Sequence, residues 1–94
     1  MNRHEEYMKT ALSLAQEAGE NGEIPVGAIV VVNGEVVAQG RNEKEMRSDA
    51  TAHAEILALQ RAAKKVGHWR LSDATMYVTL EPCSMCAGAM VQAR

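Results

Sequence analysis

Residues 25–39 read PVGAIVVVNGEVVAQ. The run from Val26 to Val32 is apolar on both faces, which predicts a central, buried strand. Asn33-Gly34 follows, and an Asn-Gly between two apolar runs signals a two-residue hairpin, because a type I′ turn needs positive φ at both positions. Glu35–Gln39 is then a second strand, antiparallel to the first.

Working outward, residues 4–18 read as an amphipathic helix. Met8, Ala11, Leu12, Ala15 and Ala18 recur at the spacing of one helical face, and Gly19 and Gly22 can end it. On the other side, residues 40–49 (GRNEKEMRSD) form a polar loop. A second helix is expected from about residues 50–52 to Lys65, capped by Asp49 or Thr51. Its apolar face runs through Ile56, Leu57, Leu59 and Ala63, and Gly67 stops it. DATMYVTL, residues 73–80, reads as a third strand. Pro82 suits the first turn of a third helix, CSMCAGAMVQAR. The strand–helix–strand order around helix two implies a crossover and an α/β layer architecture.

At 94 residues the chain holds one domain at most. It has no Phe, so its core is built from Val, Ile, Leu, Ala and Met. The net charge of −2 lacks the overall basic signature common among nucleic-acid binders. No apolar run approaches the roughly 18 residues needed to span a membrane. The start, MNRHEEYMKT, is polar and acidic, unlike a signal peptide, so a cytoplasmic location is expected. Cys83 and Cys86 are too few and too close for a secreted disulfide framework.

The chemistry is concentrated at the starts of helices two and three. Side chains lean toward a helix's N-terminus, so His53 and Glu55, both in a first turn, can reach the space beyond the helix end. Cys83 and Cys86 stand at i and i+3 in the first turn of helix three, and a helix N-terminus favours thiolates there. One imidazole and two thiolates make a soft, zinc-type ligand set. Three protein ligands leave the fourth tetrahedral position open, as in catalytic zinc sites. Water in that position ionises near neutral pH, and Glu55 stands beside it as a carboxylate able to take and pass on its proton. A lone His is more often structural, and a lone Cys-x-x-Cys can be a redox pair. The redox reading leaves His53-Ala54-Glu55 unexplained. The combined pattern H-x-E…P-C-x-x-C is the signature of zinc nucleobase deaminases.

With GEIPVGAIVV, TAHAEILAL, the Asn of GRN and GHWRLSDATMYVTLEPCSMCAGAM, the chain resembles the cytidine/deoxycytidylate deaminase superfamily, and within it the bacterial tRNA adenosine deaminases. The resemblance implies a cytidine deaminase-like three-layer α/β/α fold with a mixed sheet, of which three strands and three helices are present. It implies zinc held by His53, Cys83 and Cys86, one per chain, with Glu55 as proton shuttle. Asn42 would hydrogen-bond the base, and Val26 and Ala54 would line its pocket. The implied substrate is adenosine at the wobble position of a tRNA anticodon loop, and the implied assembly is a homodimer through helices two and three. Family members continue past helix three, so residues 1–94 are expected to be the N-terminal two thirds of such a domain. A deaminase of a free base or nucleotide, guanine or cytosine, shares every zinc residue and stays open. So do an inactive zinc-binding fragment and a Cys83–Cys86 redox pair.

Other residues read as structural. Trp69 packs the exit of helix two, and Met76, Met85 and Met90 fill core space. Lys64 and Lys65 complement a helix C-terminus, and Glu81 braces the turn before Pro82. His4 and His68 show no partner pattern.

Overall fold

A computed structural model describes residues 3–43, 53–67 and 73–79. The elements in order are α1 (Arg3–Glu20), β1 (Gly27–Val32), β2 (Glu35–Arg41), α2 (Ala54–Val66) and β3 (Ala74–Val78). Helix three with its cysteines, together with His68, Trp69 and Glu81, falls outside the described residues.

β1 is the central strand, in the order β2-β1-β3. The expected hairpin is present: Asn33 and Gly34 take φ of 53° and 78°. Its register runs from Gly27↔Arg41 to Val32↔Glu35, with a shift between Val30 and Val31 that leaves Val37 as an extra residue on β2. β3 pairs with β1 antiparallel, from Ala28↔Val78 to Val32↔Ala74. β2 and β3 therefore run parallel to each other on either side of β1, and the crossover through α2 passes over β1. Among the described residues both ladders are antiparallel. The parallel pairing that a mixed sheet needs is not among them.

The two helices lie on opposite faces of the sheet. Val26, Ala28, Val30 and Ala38 form one buried cluster with Ala54, Ala58 and Ala62 of α2, and Met76 and Val78 pack against its edge. Gly27 and Ile29 point the other way, because successive residues of a strand alternate faces. There Gly27 meets Ala11 and Ala15 of α1, and Tyr77, opposite Ile29, lies 5.1 Å from the ring of Tyr7. This is the expected α/β/α layering, with α1 on one face of the sheet and α2 on the other.

Four local expectations change. α1 runs through Gly19 and stops at Glu20, with Gly22 at φ 78° as the left-handed residue that ends it. The Glu23 N–H closes the end by donating to Ala18 O at 2.9 Å. Leu12, expected on the buried face, is 54% exposed; the buried stripe is Ala11, Ala15 and Ala18. α2 begins at Ala54, because His53 is still extended at φ −78°, ψ 149° and serves as the N-cap in place of Asp49 or Thr51. Its buried stripe is Ala54, Leu57, Ala58 and Ala62, while Ile56, Leu59 and Ala63 are only half-buried. The reason is the distance of approach. A Cβ on Gly40 would run into the Ala54 carbonyl and lie 2.8 Å from Ala58 N, so only small residues fit where helix meets strand. Gly67, at φ 84°, ends α2 as expected, with its N–H donating to Ala63 O.

Candidate active site

Backbone contacts gather the expected site residues at one end of the sheet. Asn42, just past β2, donates its N–H to Val26 O at 3.1 Å, just before β1. Thr79, just past β3, donates its N–H to Gly27 O at 3.1 Å, and its Oγ1 accepts from Gly27 N at 3.2 Å. The first turn of α2 crosses Gly40, two residues before Asn42. The entry to β1 and the exits of β2 and β3 therefore share one end with the mouth of α2.

Each described site residue can be placed. Val26 and Ala54 are buried in the same cluster. Asn42 is buried beside them in the chain's path. His53 is half-buried at the N-cap, and its carbonyl accepts the first helical bond, from Leu57 N at 3.0 Å. Its ring makes no capping hydrogen bond, so the imidazole is not committed to the helix end as a Ser or Asp side chain would be. Glu55, in the first turn, is only 4% exposed. Burying a carboxylate is costly unless it is paired and hydrogen-bonded, and a place in the first turn of a helix favours negative charge.

Cys83 and Cys86 lie outside the described residues. Among the described residues no three His, Cys, Asp or Glu side chains gather at metal-binding range. β3 runs out at the same end as the mouth of α2.

Two ion pairs flank Asn42, and sequence patterning does not reveal either. Arg41 Nη1 lies 3.2 Å from Glu17 Oε2 of α1. Glu43 Oε2 lies 3.4 Å from Arg61 Nη2 of α2, and Arg61 Nη1 also donates to Gln39 O at 2.9 Å. Charges this far apart along the chain have no periodic signature. His4 also has a partner that the sequence does not signal. Its Nδ1 is hydrogen-bonded to the Tyr77 hydroxyl, with ring centroids 5.6 Å apart, on the α1 face. Among the described residues no helix is long and apolar enough to cross a membrane.

The chain is similar to known proteins along nearly its whole length. The chain is 51% identical over 94 residues to a tRNA-specific adenosine deaminase of Bacillus subtilis (strain 168), matching all of this chain and 58% of that protein. It thus spans under two thirds of that relative's length. A solved structure from a study of A-to-I editing by tRNA:A34 deaminases at the wobble position of transfer RNA superposes with a TM-score of 0.92 at 46% identity, covering 95% of this chain and 64% of that one. The guanine deaminase of Bacillus subtilis superposes with a TM-score of 0.94 at 42% identity, covering 100% of this chain and 60% of that one. The profile of the MafB19-like deaminases matches residues 2–94. With nearly every residue of the chain inside that match, it belongs to the MafB19-like deaminase family.

Proposed function

We propose that this chain carries the catalytic machinery of a zinc-dependent hydrolytic deaminase that converts adenosine to inosine at the wobble position of tRNA. The observation that carries the proposal is the mouth of α2. A buried carboxylate, Glu55, stands in the first turn beside His53, the N-cap residue whose ring makes no capping hydrogen bond, at the sheet end where Asn42 and Val26 meet.

The donor set fits zinc: the His53 imidazole and the thiolates of Cys83 and Cys86 are the ligand types a three-residue catalytic zinc site uses. Zinc held there would lower the pKa of bound water and so supply a nucleophile near neutral pH. The reaction replaces the C6 amine of adenine with oxygen from water and releases ammonia. Glu55 takes one proton from the attacking water and passes it to the ring nitrogen. It then takes the second from the new C6 hydroxyl and passes it to the amine, which leaves as ammonia while the C6 carbonyl forms. Asn42 hydrogen-bonds the base and fixes its orientation. Val26 and Ala54, buried and apolar, wall the pocket and keep bulk water from it. The base leaves its stack cheaply in an anticodon loop, which is why a single-stranded loop suits this site.

The partner is then a tRNA anticodon loop. The assembly is a homodimer through α2 and the helix after Pro82, and the location is cytoplasmic. The adenosine reading rests on relatives named tRNA-specific adenosine deaminases. The guanine deaminase neighbour keeps guanine as the second reading. The test is a product assay of the purified chain, offering in parallel an anticodon stem-loop with adenosine at the wobble position and free guanine. Inosine in the stem-loop is the expected product. Xanthine from guanine with no inosine moves the assignment to the second reading, and neither product contradicts deaminase activity in this chain.

A further inference from the structure

We propose that Arg61 is a positioning residue for Asn42, acting through Glu43; the inference rests on the base-binding role of Asn42 proposed above. Asn42 lies in the segment that leaves β2 for the loop before α2, and three contacts hold its surroundings. Its own N–H is tied to Val26 O. The residue before it, Arg41, is paired with Glu17 of α1 at 3.2 Å. The residue after it, Glu43, is paired with Arg61 of α2 at 3.4 Å. Because α1 and α2 lie on opposite faces of the sheet, Asn42 is flanked by one tether to each outer layer.

The two tethers are not equivalent. The Arg41–Glu17 pair is solvent-facing, with the side chains 29% and 55% exposed, and exposed pairs of this kind hold little. In the other pair the Arg61 side chain is 43% exposed, but the Glu43 side chain is only 9% exposed. Removing the guanidinium takes a charged partner from a buried carboxylate, which costs more than losing a surface pair. Arg61 also serves two acceptors with one guanidinium: Nη2 reaches Glu43, and Nη1 reaches the Gln39 carbonyl on β2. A planar fork reaches two separate oxygens from two fixed nitrogens, whereas an ammonium offers its three donors from one nitrogen on a flexible stem. Arg61 therefore ties the body of β2 to the residue immediately past Asn42. It also fixes both to the helix whose first turn carries Glu55. The base-binding amide and the proton shuttle are held in one frame by a side chain two turns away from the site.

The test reads the brace with and without chemistry. Hydrogen exchange at the Asn42 backbone N–H, measured by NMR on the full chain without substrate, should speed about ten-fold or more in Arg61→Ala. The amides of Ile29 and Val30 should keep their protection, as expected for a local opening rather than a global one. Arg61→Lys should move Asn42 in the same direction by less, which keeps the idea testable if the alanine variant folds poorly. Glu17→Ala, which breaks only the exposed tether, should leave Asn42 unchanged. In the deamination assay, Arg61→Ala should raise KM about ten-fold with kcat within about two-fold, the pattern for loss of a contact made equally to substrate and transition state. Unchanged exchange at Asn42 in both Arg61 variants overturns the proposal, as does acceleration spread evenly over the whole core. A chain that shows the local exchange effect but deaminates nothing sinks the proposed activity and leaves the brace standing.

Discussion

On the α1 face, Gly27 lets Ala11 and Ala15 press against β1; on the α2 face, Gly40 lets Ala54 and Ala58 press against β2. At either glycine an added Cβ would meet helix backbone: Ala15 N at 2.7 Å in the first case and Ala58 N at 2.8 Å in the second. The packing device is the same, but its position along the helix differs. The α1 contact falls in the middle of an 18-residue helix, whereas the α2 contact includes Ala54, the first residue of its helix. Close packing at Gly40 therefore sets where His53 and Glu55 sit. Close packing at Gly27 holds a layer whose other contacts, Tyr7 and His4 around Tyr77, are structural.

The largest expected effect lies at the α2 mouth and leaves packing alone. Glu55→Gln keeps the side chain's shape and removes its proton-carrying role. Turnover should fall by about 10²–10⁴-fold, the usual contribution of a general acid–base group, while the melting temperature stays close to that of the parent chain. Activity surviving in that variant would remove Glu55 from the mechanism.

Next in size is the paired glycine test. Gly40→Ala and Gly27→Ala should each cost about 1–3 kcal/mol of stability, as overpacking does in tight interiors. Turnover per folded molecule should separate them: Gly40→Ala displaces the first turn of α2 and should lose about 10²-fold, the scale of a small misplacement near the chemistry. Gly27→Ala should stay within a few-fold of the parent chain on the same reasoning. Chemical denaturation gives the stability of each, and rates corrected for folded fraction give the comparison. Equal losses of turnover in both variants would erase the distinction between the two faces.

The smallest effect is expected at Leu12, which periodicity assigns to the buried face of α1 and the structure leaves 54% exposed. Leu12→Ser should change stability by no more than about 0.5 kcal/mol, as for other surface substitutions. A loss of several kcal/mol on denaturation would return Leu12 to the core.

The pattern of these residues also marks what the sequence makes legible. Asn33-Gly34 and the apolar run before it locate the hairpin and the central strand, because backbone conformation at an Asn-Gly turn is restricted locally. Gly67 ends α2 for the same kind of reason. His53 and Glu55 stand out because two polar residues at a helix mouth have no packing explanation. The core faces of both helices are harder to read. Periodicity finds the alanine stripe Ala11, Ala15 and Ala18 of α1 but adds the exposed Leu12. On α2 it points to Ile56, Leu59 and Ala63, while the closest contacts with the sheet are made by Ala54 and Ala58 against glycine. The register shift at Val30/Val31, the Glu43–Arg61 pair and the His4–Tyr77 contact depend on which elements meet in space, and no local pattern encodes that. Cys83 and Cys86 are legible by motif alone, since they lie outside the described residues.

The most direct test of a zinc site shared by His53, Cys83 and Cys86 is zinc per chain by elemental analysis, on the parent chain, His53→Ala and Glu55→Gln. A single His-Cys-Cys site predicts about one zinc in the parent chain and in Glu55→Gln, and close to none in His53→Ala. Zinc retained in His53→Ala, or absent from a folded parent chain, would contradict the shared site.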